Sequence, residues 1–205
     1  IYQMEVPYNT AIFKQMKAEG KLVAPVANWA TKRAWTGYAF AELEKAGYTV
    51  TSGYTAVRDP QRTRFVYRDS LWKGADLIGA GVSAFSHLGG VHFQNITEIE
   101  QYVETVESGE LPVLRAMATT PEERMIRELI LQLKLGRVGA AYFREKFGVD
   151  VAHRFEAQWS RLVGAGLGAW EGEGEEFALT REALLKVDSL LHDFFLPQHQ
   201  NSRYV

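Results

Sequence analysis

The sequence has 205 residues, of which 46% are apolar and 23% are charged, proportions that are ordinary for a folded soluble protein and exclude a disordered chain. A formal charge of −2 gives no general attraction to nucleic acid or to an anionic membrane. No apolar run approaches the ~18 residues that span a bilayer, and the amino terminus lacks a signal-peptide pattern, so we expect a cytoplasmic protein without a nucleic-acid or membrane partner.

The chain contains no cysteine. This excludes disulfides, thiol catalysis, zinc–thiolate sites and any iron–sulfur cluster held by cysteines of this chain. The residue pattern assigns no metal site and no catalytic residue.

The first half of the chain predicts a mixture of strands and helices. The predicted elements are, in order, a strand at 1–6, a helix at 27–45, a strand at 48–54, a loop at 58–64 and an extended segment at 65–67. In the helix, one face should carry Trp35, Tyr38, Ala39 and Leu43. Gly47 is expected to end that helix.

The most informative run extends from Gly74 to Ser86 and predicts a strand that ends in a small-residue loop. Gly79 and Gly81 allow the backbone to come close to a bound group without interference from a Cβ atom. A structural alternative stays open, because small residues are also needed where a strand bends against a helix. Strands or extended loops are predicted at 77–85 and 90–94.

Thr97 and Glu100 fit a capping box that starts a helix ending at about Ser108, before Gly109. The segment 110–119 has no clear periodicity. It is taken as the crossing between two domains, which we predict at 1–110 and 111–205.

The second half predicts a helical module. Thr120 and Glu123 form a second capping box with Pro121 at the first helical position. The remaining predicted elements are a stripe of core residues in that first helix, helices at 139–147 and 151–163, a hairpin at 168–180 and a closing helix at 181–195. This order is typical of a winged-helix module, but the hairpin is rich in glutamate, so DNA binding is not expected.

Other side chains near the glycine-rich run can carry chemistry. Arg64 and Arg68 belong to a basic run that can pair with carboxylates, and the neighbouring Tyr67 can line an apolar pocket. His87 can ligate haem iron or act as an acid or base. Solvated loop residues, core aromatics and a surface histidine are the alternatives.

Several segments carry a family resemblance. They are Tyr2-Gln3-Met4-Glu5, Lys45-Ala46-Gly47-Tyr48, the Gly-x-Gly-x-Ser-Ala-x-Ser run from Gly79 to Ser86, Val91-His92-Phe93-Gln94-Asn95 and Ser202-Arg203-Tyr204-Val205. Together they resemble the downstream half of the oxygen-independent coproporphyrinogen III oxidases and their relatives among the radical S-adenosylmethionine (SAM) enzymes. The resemblance implies an α/β (α+β) fold, in which the terminal part of a radical SAM β/α partial barrel precedes the winged-helix-like domain.

The resemblance also implies SAM and, in the parent enzyme, a [4Fe–4S] cluster held by a Cys-x3-Cys-x2-Cys loop that this chain lacks. The implied cofactor-binding residues are Glu5, Gly79, Gly81, Val82, Ser83, Ala84, Phe85 and Ser86. The implied substrate-binding residues, for a porphyrinogen or haem, are His87, Tyr67, Arg64 and Arg68. Phe85 replaces a smaller aliphatic residue of the biosynthetic oxidases, and its ring can stack on a flat macrocycle or partly fill a second SAM site.

We therefore expect a carboxyl-terminal fragment of a longer radical SAM enzyme, whose partner is the missing amino-terminal portion and which is inactive alone. The alternative is a cluster-less tetrapyrrole carrier without radical chemistry.

Overall fold

The computed structural model describes residues 1–3, 6, 10–20 and 27–200. The helices are α1 (Ala11–Ala18), α2 (Trp29–Lys45), α3 (Val66–Trp72), α4 (Ile99–Glu107), α5 (Pro121–Leu133), α6 (Ala140–Phe147), α7 (Val151–Arg154), α8 (Glu156–Gly164), α9 (Arg181–Leu185) and α10 (Val187–Leu190). The strands are β1 (Thr49–Val50), β2 (Ala56–Val57), β3 (Phe85–Leu88), β4 (Val91–Asn95), β5 (Val113–Ala118), β6 (Arg137–Gly139), β7 (Gly168–Glu171) and β8 (Glu176–Leu179).

The described strands form three small sheets, with the orders β1-β2, β3-β4-β5 and β6-β8-β7. Every pair among them is antiparallel. A mixed helix and strand fold is therefore confirmed, whereas the partial β/α barrel and the winged-helix description stay predictions. The domain boundary at residue 110 also stays a prediction, and β5 pairs with β4 beyond it.

The principal core lies in the second half of the chain. The Thr120 side chain accepts a hydrogen bond from the Glu123 backbone N–H at 3.1 Å, and the Glu123 carboxylate accepts from the Thr120 N–H at 2.8 Å, which confirms the second capping box. Trp159 on α8 is 1% exposed at the centre of this core. The core is completed by Met125, Ile126, Leu129, Leu133, Val138, Ala140, Phe143, Val151, Phe155, Leu162, Phe177, Val187, Leu191 and Phe194.

Two segments differ in type from their predictions. Residues 66–72, expected to begin as an extended segment, form α3, because the stretch contains neither proline nor glycine until Gly74, which ends the turn at φ +80°. The patternless segment after 110 contains β5, whose residues are all exposed. Because neither side of β5 is buried, its sequence lacks the alternation of apolar and polar residues that would predict a strand.

Other differences concern boundaries and faces. Helix α4 begins at Ile99 without a side-chain cap, so the Thr97–Glu100 capping box is wrong. In α2 the buried residues are Thr36 and Phe40, whereas Trp35 and Tyr38 are 63% and 69% exposed, so the predicted face is wrong. The predicted helices at 151–163 and 181–195 are each divided into shorter helical segments.

Neither of the first two predicted strands is present at its predicted length among the described residues. Residues 1–3 and 6 are not in a strand, and the rest of the predicted strand at 1–6 lies outside the described residues. The strand predicted at 48–54 is reduced to β1, with two residues. Residues 202–205, which contribute to the resemblance, also lie outside the described part.

Candidate ligand-binding face

A network of hydrogen bonds holds the glycine-rich loop in one shape. The Gly79 N–H donates to Ser86 Oγ at 3.0 Å, and the Gly81 N–H donates to Tyr102 Oη at 3.0 Å. The buried Asn95 side chain donates through Nδ2 to the carbonyl oxygens of Gly79 and Gly81, at 3.0 and 2.9 Å. The loop precedes β3 instead of following a strand, which corrects the predicted order.

The two predicted glycines have different roles. A Cβ atom on Gly79 would lie 2.5 Å from the Phe85 carbonyl oxygen and 2.9 Å from Ala84 Cβ, so packing inside the protein requires a glycine there. Gly81 has φ +95°, and a Cβ on it would meet no described atom within 4 Å. The structural alternative therefore accounts for Gly79 by packing and for Gly81 by its positive φ, while the side of Gly81 that would carry a Cβ is open.

The other small residues of the loop differ in accessibility. Val82 is 38% exposed, and Ser83, at φ +60°, is exposed beside it. Ala84 is half-buried, and Ser86 is 1% exposed, with its hydroxyl engaged by the loop. Of the two serines, Ser83 is exposed and Ser86 is buried.

The sheet β3-β4-β5 presents one face that we call the His92 face. Residues directly opposite each other on neighbouring strands share a side of the sheet. The register pairs Phe85 with Gln94 and Gln94 with Arg115, and it pairs His87 with His92 and His92 with Met117. The His92 face therefore consists of Phe85, His87, His92, Gln94, Arg115 and Met117.

On the His92 face, a stacked pair of rings lies beside the cationic side chain of Arg115. The rings of Phe85 and His92 are stacked, with centroids 5.5 Å apart and planes 6° from parallel, and Phe85 is 40% exposed. Beside this pair, Arg115 Nε donates to Gln94 Oε1 at 2.9 Å. Of the residues on this face, Phe85 and His87 are predicted from the sequence as site residues, and the other four have no role predicted from it. The period of two along 91–95 places His92 and Gln94 on one side, and this signal was available.

The surroundings of the two histidines of this face disfavour their charged form. Burial lowers the pKa of His87, and the charge of Arg127 lowers it further, together with His92 and Arg124, whereas Asp76 raises it. Burial also lowers the pKa of His92, with contributions from Arg127 and Arg115 that outweigh its hydrogen bond with the Ser86 backbone. Neutral imidazole nitrogens can accept a proton or a metal ion.

These pKa shifts make the stability of the fold depend on pH. Both folded-state pKa values lie below the ordinary 6.5, so the unfolded chain binds more protons and stability falls as the pH drops through that value. The fall ends once the folded-state pKa values are passed. We expect the melting temperature to decrease from pH 7 to pH 5, and to decrease less in a His87→Asn, His92→Asn double variant.

A series of thermal melts at half-unit pH intervals measures this effect. The pKa of Glu123 is also lowered, but its effect on stability falls below its ordinary value of 4.5 and therefore outside the interval from pH 5 to pH 7. If the melting temperature of the double variant decreased with pH as steeply as that of the unaltered protein, His87 and His92 would not be the cause of the pH dependence.

The remaining predicted residues lie elsewhere. Glu5 is outside the described residues. Tyr67, 60% exposed, and Arg68 lie on α3, and Arg64 lies just before it; the two arginines line one open concavity. Arg68 donates to Asp69 Oδ1 through Nε and Nη2 at 2.9 and 2.7 Å, whereas its enclosed Nη1 has no hydrogen-bond partner among the described residues.

The described part of the chain contains neither a cluster of metal-binding side chains nor a membrane-spanning helix. No group of three or more histidine, aspartate or glutamate side chains there has the geometry to hold a metal ion. None of its helices combines the length and apolar character that a membrane crossing needs.

Comparison with known proteins gives the context of this face. No protein-family model matches the chain. It is 28% identical over 134 residues to an oxygen-independent coproporphyrinogen III oxidase of Pseudomonas aeruginosa, covering 63% of this chain and 29% of that protein. It is 26% identical over 168 residues to the Helicobacter pylori (strain 26695) protein of the same name, covering 75% of this chain and 37% of that protein.

A solved structure shares the fold. The chain matches the Escherichia coli coproporphyrinogen III oxidase, a radical SAM enzyme, with a TM-score of 0.64 and 20% identity, over 86% of this chain and 42% of that one. The fold of this chain is therefore similar to part of that structure. The resemblance expected from the sequence is confirmed at the family level: the chain is similar to oxygen-independent coproporphyrinogen III oxidases and spans less than half the length of the proteins that it matches.

Proposed function

We propose that this chain is the tetrapyrrole-facing, carboxyl-terminal portion of a cytoplasmic radical SAM enzyme that acts on a porphyrinogen or haem. The observation that carries the proposal is the stacked pair of the exposed Phe85 and the half-buried His92, next to the glycine-rich loop. A parallel pair of flat rings offers an apolar surface of the kind that a flat macrocycle covers. The similarity to coproporphyrinogen III oxidases supports this choice of ligand.

The residues present fit one implied cofactor and not the other. Gly81 has an open side, and the exposed Ser83 adjoins it, so a SAM molecule can approach the loop. Bound SAM supplies a radical or a methyl group in enzymes of this class. The chain has no cysteine for a [4Fe–4S] cluster, so cluster ligands must come from outside it, and we derive no step through the cluster.

We further propose that the helical second half is a winged-helix-like module that serves as a lid or docking unit. Helices α5, α6 and α8 with the sheet β6-β8-β7 follow the order expected for such a module. The acidic hairpin argues against a nucleic-acid role, since its glutamates would repel phosphates. Three of them pair within the module: Glu171 and Glu176 contact Arg137, and Glu175 contacts Arg144.

The second candidate function is a tetrapyrrole carrier without radical chemistry. The same face supports it, because stacking requires no cluster. The complete protein from its source distinguishes the two. Bound iron and acid-labile sulfide with reductive cleavage of SAM would support the enzyme, whereas tetrapyrrole binding without either would support the carrier.

Replacing Phe85 with alanine is expected to weaken binding of coproporphyrin III and ferric haem about tenfold, because an aromatic contact contributes ~0.5–1.5 kcal/mol beyond its area. Soret absorbance titrations of the purified chain measure the affinity. Tyr38→Ala, which removes an exposed ring from α2, is the matched control and should leave affinity unchanged. Equal affinities for the Phe85 variant and the unaltered chain would contradict the proposed face.

A further inference from the structure

Two residues of the glycine-rich loop have a backbone in the left-handed region, and one of them is not a glycine. Gly81 has φ +95° and Ser83 has φ +60°. A residue with a Cβ atom is strained there, because the Cβ comes too close to its own backbone. Such strain persists where surrounding contacts enforce it, and it is concentrated at ligand sites. The contacts on each side of Ser83 therefore identify what holds the loop in this shape.

The end of β4 holds Ser83 through both of its backbone polar groups. The Ser83 N–H donates to the Ile96 carbonyl at 2.9 Å, and the Ser83 carbonyl accepts from Gln94 Nε2 at 3.2 Å. Gln94 is itself oriented, because its Oε1 accepts from Arg115 Nε at 2.9 Å. Gln94 and Ile96 are each 6% exposed, so these contacts lie behind the loop, away from solvent.

Gly81 is held in the same way, by one residue of β4 and one of α4. Its carbonyl accepts from Asn95 Nδ2 at 2.9 Å, and its N–H donates to Tyr102 Oη at 3.0 Å. Asn95 Nδ2 also donates to the Gly79 carbonyl at 3.0 Å, so both protons of this amide are used. Asn95 is 5% exposed, and this one buried side chain thus fixes two carbonyl groups of the loop.

Gln94 and Asn95 reach the same loop although they are neighbours on a strand. In a regular strand, successive side chains point to opposite faces of the sheet. The register between β4 and β5 shifts between Gln94 and Asn95. Irregularities of this kind bend a strand and re-aim a side chain, and they occur next to functional sites. Both amide side chains are therefore available to one loop.

We propose that Asn95 is a positioning residue that, together with Tyr102, holds residues 79–83 in the shape that a ligand requires before the ligand arrives. A Cβ on Gly81 would meet no described atom within 4 Å, so neither side chain occupies the open side of this glycine. A loop ordered in advance loses less conformational freedom on binding, which raises the affinity. The ligand is SAM under the function proposed above, and the proposal rests on that function only for the identity of the ligand.

Asn95→Asp tests this role, because it keeps the size of the side chain and replaces its two donors with an acceptor. A carboxylate would then face the carbonyls of Gly79 and Gly81, and the loop should leave its shape. We expect the affinity of the purified chain for SAM to fall about tenfold, which corresponds to a competent loop in about one molecule in ten. Isothermal titration calorimetry measures the affinity.

The matched control is Asn28→Asp, the same substitution at a position where the side chain acts as an acceptor. Asn28 caps α2, and its Oδ1 accepts from the Thr31 N–H at 2.9 Å. Aspartate caps a helix as well as asparagine does, so this variant should bind SAM as the unaltered chain does.

NMR spectra separate positioning from a role in the fold alone. In Asn95→Asp without SAM, the amide resonances of residues 79–83 should broaden through exchange between conformations, whereas the indole resonance of the buried Trp159 should not move. Saturation with SAM should sharpen the loop resonances, because the ligand then supplies the order that Asn95 no longer provides. A residue that served only the fold would not give this recovery.

Tyr102→Phe keeps the proposal testable if Asn95→Asp folds poorly. It removes one hydroxyl and leaves the Gly81 N–H without its acceptor. We expect about threefold weaker SAM binding, since one of the contacts is lost, and a broadened Gly81 amide resonance. Unchanged SAM affinity in Tyr102→Phe and in every folded Asn95 variant would overturn the proposal.

The outcomes distinguish failure of the positioning role from failure of the proposed function. If the unaltered chain binds no SAM, the assignment of SAM as the cofactor fails, and the same comparison is made with coproporphyrin III. If neither ligand binds, the proposed function fails; sharp loop resonances in Asn95→Asp would then overturn the positioning role, and broadened ones would support it. If SAM binds the variants and the unaltered chain equally, the positioning role fails and the function stands.

Discussion

Trp159→Ala is expected to lower the free energy of unfolding by about 3–5 kcal/mol, the range for truncating a large buried aromatic side chain. Trp159 is 1% exposed, and its ring centroid lies 4.5 Å from that of Phe177 and 4.7 Å from that of Phe194. Its Nε1 also donates to the Val151 carbonyl at 2.8 Å, so truncation leaves a cavity and removes one of the two hydrogen bonds that this carbonyl accepts, the other coming from the Phe155 N–H. Urea unfolding followed by circular dichroism measures the loss.

The matched control is Trp35→Ala, which removes the same side chain from an exposed position on α2. Its cost should stay within about 0.5 kcal/mol. Similar midpoints for the two variants would show that Trp159 is not the centre of the core, and would undermine the packing of α8 against the hairpin.

Lys146→Met is expected to cost about 1–3 kcal/mol, less than the full cost of breaking a buried ion pair, because the Lys146 side chain is 39% exposed whereas Glu128 is buried. The Glu128 carboxylate has 5% side-chain exposure, and Lys146 Nζ lies 2.8 Å from its Oε1. Lys146 Nζ also donates to the Lys73 carbonyl at 2.8 Å, and the Tyr142 hydroxyl donates its proton to the Glu128 carboxylate at 2.5 Å. Burial and the Glu128 carboxylate raise the pKa of Tyr142, so this phenol remains a donor.

This network fastens α5 and α6 to the beginning of the glycine-rich run. A Cβ on Gly74 would lie 1.9 Å from Glu128 Oε1, so the missing side chain is what lets the carboxylate come so close. A Glu128→Gln, Lys146→Met double variant should recover part of the loss, because no unpaired charge remains buried. Lys186→Met, which breaks the exposed pair with Glu182, should change stability by less than about 0.5 kcal/mol. If Lys146→Met and Lys186→Met lowered the free energy of unfolding equally, the network around Glu128 would not stabilise the fold more than an exposed ion pair does.

The sequence predicted elements best where local chemistry was sufficient. Thr120, Pro121 and Glu123 define the start of α5 by contacts within one turn, and Gly109 follows the end of α4 at φ +81°. The glycine-rich run was identified from its composition. Its hydrogen bonds to Asn95 and Tyr102 were not, because those partners are distant in the sequence.

By itself, the sequence determined the family resemblance, the strong helix of the core and the absence of cysteine, all of which are properties of residue types and short spacings. Only the tertiary structure decided that Gly79 serves packing while Gly81 stays open, and that Phe85 stacks on His92. It also decided that the Asn95 side chain donates hydrogen bonds to the Gly79 and Gly81 carbonyls. The physical reason is that strand register and helix packing set which side chains meet, and these depend on contacts between segments that no local pattern encodes.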